Sequence, residues 1–291
     1  MKTGKLAHTF RIDSGKHFRL NDYDPAHTGH WKSKEHASEA LQQGIARTAE
    51  LQDKLYAQDN WALLLIFQAM DAAGKDGAVK HVMSGVNPQG CEVHAFKAPS
   101  DQELQHDFLW RTTCKLPERG HIGIFNRSYY EEVLVVRVHP EILKKERTPE
   151  KLVDKEIWQD RFESIRCFER QMAGSGTVIR KFFLHLSKKE QKKRFLDRLN
   201  EPEKNWKFSA SDVHERDYWD DYQEAYKEMI QNTASKHAPW YVVPADNKWF
   251  TRLVISTVIV DTLESLNLSY PKVGAAKRKE LEEAKKKLMK K

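Results

Sequence analysis

Two short segments of this chain place phosphate-handling residue types at the ends of apolar runs. In the first, Trp61–Phe67 leads through Gln68-Ala69-Met70-Asp71-Ala72-Ala73 into Gly74-Lys75-Asp76-Gly77-Ala78-Val79-Lys80. A buried strand that turns through glycine into a helix aims backbone N–H groups and a helix N-terminus at an anion, and Lys75 adds a point charge. The pattern departs from GxxxxGK[ST] twice, with Ala69 where the first Gly belongs and Asp76 where the Ser/Thr belongs. Taken alone, Gly-Lys after a strand also fits a tight turn with a surface lysine. Asp71 and Asp76 shift the balance. Two carboxylates beside phosphate-binding amides would repel phosphate unless a cation lay between them. Mg²⁺, held by one or two carboxylates and phosphate oxygens, is such a cation. The segment therefore makes most sense as a metal–phosphate site with Asp71 and Asp76 as metal ligands.

The second segment is His121-Ile122-Gly123-Ile124-Phe125, which ends in Asn126-Arg127-Ser128-Tyr129-Tyr130-Glu131-Glu132. Polar residues at the carboxyl ends of parallel strands sit where open α/β sheets bind ligands. Arg127 can fork onto phosphate oxygens, or it can pair with Glu131 at i,i+4 on a helix face. A third segment, Lys188–Lys207, holds eight Lys/Arg and four acids, with Arg194 and Arg198 on one helix face. In isolation such a run is a solvated face. Late in a phosphate-loop chain it reads better as a basic lid, over about residues 188–215, that closes on phosphates and excludes water.

The elements that must position these groups alternate. Glu35–Gln58 is expected to be a helix, with Leu41, Ile45, Leu51 and Leu55 near helical spacing. Trp61–Phe67, Glu92–Phe96, His121–Phe125, Thr177–Leu186 and Trp240–Val243 read as strands. A helix is expected from Lys75. Ser100-Asp-Gln-Glu103 and Ser187-Lys-Lys-Glu190 read as capping boxes opening helices. Thr148-Pro149 predicts a helix to about Ala173, and Asp212–Thr233 and Trp249–Leu266 predict two more. Strand–helix alternation predicts an α/β fold, a doubly wound parallel sheet of about five strands. No Pro/Gly/Ser linker divides the chain, so residues 1–271 read as one domain, followed by a basic tail over 272–291.

With 291 residues, 40% hydrophobic and 31% charged, the chain has a globular balance and wholesale disorder is excluded. The net charge is +7, but the last 20 residues hold nine Lys/Arg and three Glu, so the body carries about +1. The basicity thus gives little support to nucleic-acid binding. The tail reads as a solvated, fraying helix, with a loose polyanion anchor as the sharper alternative. Cys91, Cys114 and Cys167 match no disulfide or zinc spacing and read as reduced thiols. The N-terminus lacks an apolar signal region and no apolar run approaches a membrane span, so a cytoplasmic protein with no membrane partner is expected.

Together these segments resemble the polyphosphate kinase 2 family. The text that carries the likeness is Met70-DAAGKDGAVK-His81, GHIGIFNRSYYEEVLVVRVHPE over Gly120–Glu141, and HLSKKEQKKRFLDRLNEPEKNWKFS over His185–Ser209. It extends to ERDYWDDYQEAYKEMI, APWYVVPADNKW and Leu20-Asn-Asp-Tyr-Asp-Pro25. Many members have Asp where Asn126 stands; the NRSYYEE version resembles the class III subgroup, which phosphorylates both AMP and ADP. The resemblance implies a thymidylate-kinase-like P-loop fold and phosphoryl transfer from inorganic polyphosphate to AMP and ADP. It implies Mg²⁺ as cofactor, with Mn²⁺ able to substitute, and a homo-oligomer, dimer or tetramer. Guanine nucleotides are further candidate acceptors.

On this reading Lys75 and the amides of Gly74–Gly77 hold the transferring phosphate. Asp71 binds the metal, assisted by Asp76. Arg127 and Asn126 bind the acceptor nucleotide, and Lys80, Arg194 and Arg198 line the polyphosphate path. Glu131 and Glu132 are candidates for positioning metal or nucleotide, or are solvated first-turn helix residues. The competing readings are an ATP-dependent nucleoside monophosphate kinase and a non-catalytic polyanion- or RNA-binding P-loop protein.

Overall fold

Strand β2 explains the architecture: all seven of its residues, Ala62–Gln68, are buried, so both faces of the sheet must be covered. A computed structural model describes residues 3–289. Residues 1 and 2 of the expected domain, residues 290 and 291 of the tail, and the Lys207 side chain counted in the basic run lie outside what it describes.

In chain order the elements are α1 (Thr3–Thr9), β1 (Arg11–Ile12), α2 (Lys34–Gln58), β2, α3 (Lys75–Val82), β3 (Cys91–Ala95), α4 (Trp110–Thr113), β4 (Ile122–Asn126), α5 (Val135–Val138) and α6 (Ile157–Gly174). There follow β5 (Thr177–His185), α7 (Lys188–Asn200), α8 (Ala210–His214), α9 (Trp219–Thr233), β6 (Trp240–Pro244), α10 (Lys248–Ser265) and α11 (Ala275–Met289).

The sheet order is β1-β6-β5-β2-β4-β3. All pairings are parallel except that of β1 with β6. The chain builds β3 and β4 on one side of β2 and then crosses to β5 and β6 on the other. The carboxyl ends of β2 and β4 therefore flank a switch point, where such sheets bind ligands. Alternate residues of β2 divide between two cores: Leu63, Leu65 and Phe67 pack with α2, α3 and α10, and Leu64 and Ile66 with α6 and α9.

The five expected strands are present, and β1 adds an antiparallel edge strand whose two residues are too few to show a period. Three expected helices are interrupted. After Ser100 both capping-box hydrogen bonds form (2.7 and 3.3 Å), yet only a 3₁₀ turn follows, because Asp107 caps Leu109 N (2.9 Å) and restarts the chain at α4. Pro149 is extended (ψ 132°), so α6 begins at Ile157, after the Asp154 carboxylate has accepted from Glu156 N at 2.8 Å. A 3₁₀ turn at Glu215–Tyr218 separates α8 from α9. The tail helix α11 buries none of its residues. Among the described residues no helix is long and apolar enough to cross a membrane.

Candidate active site

The loop after β2 turns through two left-handed residues, Ala72 (φ 63°) and Gly74 (φ 96°), the latter capping α3. Glycine meets that geometry without a Cβ clash; alanine is strained there and needs support. Arg194 supplies it. Nη1 donates to the carbonyls of Ala72 and Ala73, both at 3.0 Å. Nη2 donates to those of Ala245 (2.6 Å) and Asp246 (2.9 Å), and Nε to Glu190 (2.9 Å). All five guanidinium donors are thus committed. Arg194 is buried and holds the loop to the β6–α10 turn, so it does not line a polyphosphate path as its place on a basic helix face suggested. Ser187 Oγ accepts from Glu190 N (3.1 Å), but Ser187 N donates to Asp246 (2.8 Å). Only half of the expected capping box forms, because Glu190 is drawn to Arg194.

Lys75 curls back so that Nζ donates to Ala69 O at 2.7 Å. Burial pulls its ammonium below the ordinary lysine range, opposed by Asp71 and, more weakly, by Glu131 and Asp76. At the end of β4, Arg127 also adopts a left-handed conformation (φ 63°), and its N–H donates to Phe67 O (3.0 Å), tying the two strand ends together. Strain at such a position is tolerated where the surroundings over-determine it, as functional sites commonly do. The Arg127 guanidinium lies 3.2 Å from Asp71 and 3.6 Å from Glu131. The i,i+4 pairing with Glu131 that the sequence offered is therefore present, across a 3₁₀ turn instead of an α-helix face, and Asp71 is a second carboxylate neighbour. Burial raises the Glu131 carboxyl above its ordinary range, opposed chiefly by Arg127. Asn126 Nδ2 donates to Asp76 at 2.6 Å.

Two cavities meet at Asp71 and Arg127. One, of about 440 Å³, is lined by Asp71 through Gly77, by Lys97, and by Asn126, Arg127 and Arg198. The other, of about 240 Å³, adds Met70, Glu131, Val135, Tyr222 and Tyr226 to the shared pair. The first suits phosphates. The second, with two tyrosine rings and apolar walls beside carboxylates, suits a nucleoside.

Lys80 is exposed on α3 and lines neither cavity. Arg198 faces the phosphate-loop cavity while pairing loosely with Asp212 (3.7 Å). Glu132 separates from Glu131. It is buried against Arg161 (3.3 Å) and Arg111 (3.6 Å) and lines a different cavity. Adjacent residues on a 3₁₀ turn point about 120° apart, so the two cannot share one ligand.

Gln191, which donates to Asp71 O (3.0 Å), and the Tyr222/Tyr226 pair escaped the sequence reading. The i,i+4 spacing of those tyrosines in DYQEAY was the available signal.

Among the described residues no three His, Cys, Asp or Glu side chains form a ready-made metal cluster. Asp71 is partly exposed and faces both cavities, a donor set that fits a hard cation completing its shell with phosphate oxygens and water. Asp76, beside it, is engaged by Asn126.

The model of the polyphosphate kinase 2 family matches residues 30–271. An ADP-polyphosphate phosphotransferase of Rhodopseudomonas palustris is 55% identical over 97% of this chain and 98% of its own. An AMP/ADP-polyphosphate phosphotransferase of Meiothermus ruber is 44% identical over 93% and 97%. The crystal structure of polyphosphate kinase 2 from Arthrobacter aurescens superposes with a TM-score of 0.86 at 42% identity, covering 96% of each chain. The phosphate loop, the Arg127 strand end and the sheet that joins them are those of a P-loop kinase, and the chain belongs to the polyphosphate kinase 2 family.

Proposed function

We propose that this protein transfers phosphate from inorganic polyphosphate to AMP and ADP, with the donor in the phosphate-loop cavity and the nucleotide in the tyrosine-lined cavity. The observation that carries this reading is the meeting of the two cavities at Asp71 and Arg127. A phosphate oxygen of the nucleotide attacks the terminal phosphorus of the chain, the P–O–P bond breaks, and a chain one phosphate shorter leaves. That oxygen is already anionic at neutral pH, so no general base is needed. Positioning and charge neutralisation suffice. Lys75 and the amides of Gly74–Gly77 hold the transferring phosphoryl group, and Arg127 orients the acceptor phosphate. Asp71, with Asp76 behind it, would hold Mg²⁺, which would supply neutralisation of the charge that develops on the phosphates.

Segment 188–215 closes over the site as a lid. The nucleoside stacks on Tyr222 and Tyr226. A cytoplasmic location, where AMP and ADP are available, fits three free cysteines. The working unit is a homo-oligomer.

The test is product formation from AMP, ADP, GMP or GDP with long-chain polyphosphate and Mg²⁺, with ATP as the alternative donor. Turnover with ATP alone would make the protein a nucleoside monophosphate kinase. Asp71→Asn should lower kcat at least ~100-fold, as loss of a transition-state charge partner does. Undiminished turnover in excess EDTA would remove the metal from the reading.

A further inference from the structure

Asp71, the carboxylate proposed to hold Mg²⁺, is followed by Ala72, whose left-handed conformation (φ 63°) is set by the two peptide planes that flank it. The carbonyl of the first plane is Asp71 O, which accepts from Gln191 Nε2 at 3.0 Å. The carbonyl of the second is Ala72 O, which accepts from Arg194 Nη1 at 3.0 Å. Gln191 and Arg194 are buried and stand one turn apart on α7. A strained alanine keeps such a conformation only where its surroundings over-determine it, and these two bonds supply that support.

The two supports differ in what holds them. Arg194 is fixed to the body of the fold through the carbonyls of Ala245 and Asp246. Gln191 Oε1 instead accepts from Arg216 Nη1 at 2.7 Å. Arg216 lies on the 3₁₀ turn Glu215–Tyr218, where the 188–215 segment ends. Its other contact is again with α7, a bond to Lys188 O at 3.3 Å, and it has no carboxylate partner among the described residues. The Gln191 amide is thus engaged at both ends, donating to the phosphate loop and accepting from the far end of the lid segment. Gln191 is 2% exposed, so without Arg216 its oxygen becomes a buried acceptor lacking a donor. That cost favours turning the amide away from Asp71 O.

We propose that Gln191 and Arg216 are positioning residues that couple the lid to the metal carboxylate. With Arg216 seated on Gln191, the 71–72 peptide is locked and the Asp71 carboxylate faces both cavities. With the turn withdrawn, Ala72 relaxes and the carboxylate leaves the position in which it holds a cation. Cation affinity is then highest with the lid closed, and by linkage a bound cation favours closure by the same factor. The proposal rests on the readings of Asp71 as a ligand to Mg²⁺ and of segment 188–215 as a lid.

The experiment is titration of Mn²⁺ into the full-length protein with the free ion read by electron paramagnetic resonance. The proteins compared are wild type, Arg216→Met, Gln191→Met, the double variant and Asp71→Asn. Arg216→Met breaks the relay at a partly exposed turn and opens no core cavity, so it decides the question even if Gln191→Met folds poorly. Each relay variant should weaken Mn²⁺ binding at least about fivefold. The double variant should bind no more weakly than Gln191→Met alone, because both changes act through one bond. In the reciprocal measurement, Mn²⁺ should slow tryptic cleavage within the Lys-rich stretch 188–207 of the wild type and not of Arg216→Met. Wild-type affinity in Arg216→Met, additive losses in the double variant, or equal protection by Mn²⁺ in both proteins overturns the relay. Asp71→Asn separates this inference from the reading beneath it. If Asp71→Asn binds Mn²⁺ like the wild type, the metal reading falls and the relay with it. If it loses Mn²⁺ while Arg216→Met does not, the relay alone falls.

Discussion

The Lys181 ammonium lies 2.7 Å from the Glu169 carboxylate, and both side chains are sealed from solvent beneath the Arg127 strand end. The other carboxylate oxygen accepts from Tyr129 (2.9 Å) and Tyr130 (2.7 Å), and Lys181 also donates to Tyr130 Oη and to Thr233 O, both at 2.9 Å. The pair thereby pins the turn that follows Arg127 and Ser128 and presents Glu131. Removing one partner strands a buried charge, so Lys181→Ala should cost about 3–5 kcal/mol in urea unfolding. Lys181→Met/Glu169→Leu, which removes both charges, should cost less than the sum of the single changes. Additive losses would show that the pair acts independently.

Arg194 clamps the phosphate loop through carbonyls and not through substrate. Arg194→Ala should therefore lower kcat/KM at least ~100-fold, near 3 kcal/mol of lost positioning. Arg194→Lys should recover little, because an ammonium cannot reproduce the fork. A pure rise in KM for polyphosphate, with kcat intact, would return Arg194 to the substrate path.

Glu131 faces the shared cavity with Arg127 and Asp71, whereas Glu132 does not. Glu131→Ala should lower the ratio of kcat/KM for AMP over ADP by more than about two-fold, the point at which differential binding becomes measurable. Glu132→Ala should leave that ratio alone and instead lower thermal stability, by exposing Arg111 and Arg161 to each other. If both variants shift the ratio equally, the turn does not separate their roles.

His185, at the end of β5, is buried with Nδ1 unpartnered, and burial, opposed by Asp246 and Asp24, holds its imidazole down to about 4. A depressed folded value means stability is complete above about pH 6.5 and is lost as pH falls toward 4. The loss amounts to roughly 3 kcal/mol at about 1.4 kcal/mol per unit. His185→Gln should flatten urea-derived stability between pH 7.5 and 4.5. An unchanged slope would place the acid sensitivity on other groups.

The C-terminal helix α11 buries nothing, and Tyr270, which donates to Asp53 at 2.5 Å, precedes it. Truncation after Tyr270 should leave kcat within a few-fold and unfolding free energy within about 0.5 kcal/mol. A collapse in thermal stability would show that the tail docks.

Much of this protein is set locally. The apolar run of β2, the Gly74-Lys75 turn and the Asn126-Arg127 strand end are contiguous text, and their chemistry follows from residue type and order. Strand–helix alternation predicts the parallel sheet because each βα unit must bury both faces of its strand. Asp71 and Arg127 are 56 residues apart, yet both sit at strand ends, so their meeting at 3.2 Å follows from adjacent parallel pairing. Other relations exist only once the chain is packed. Whether Arg194 meets phosphate or backbone depends on the β6–α10 turn, 51 residues onward. Whether Glu131 and Glu132 share a site depends on the turn being 3₁₀ and on Arg161 waiting beneath it. The buried Lys181–Glu169 pair looks in the sequence like any other two charged residues. Charge is a property of the residue, but its solvation and its partners are properties of the fold.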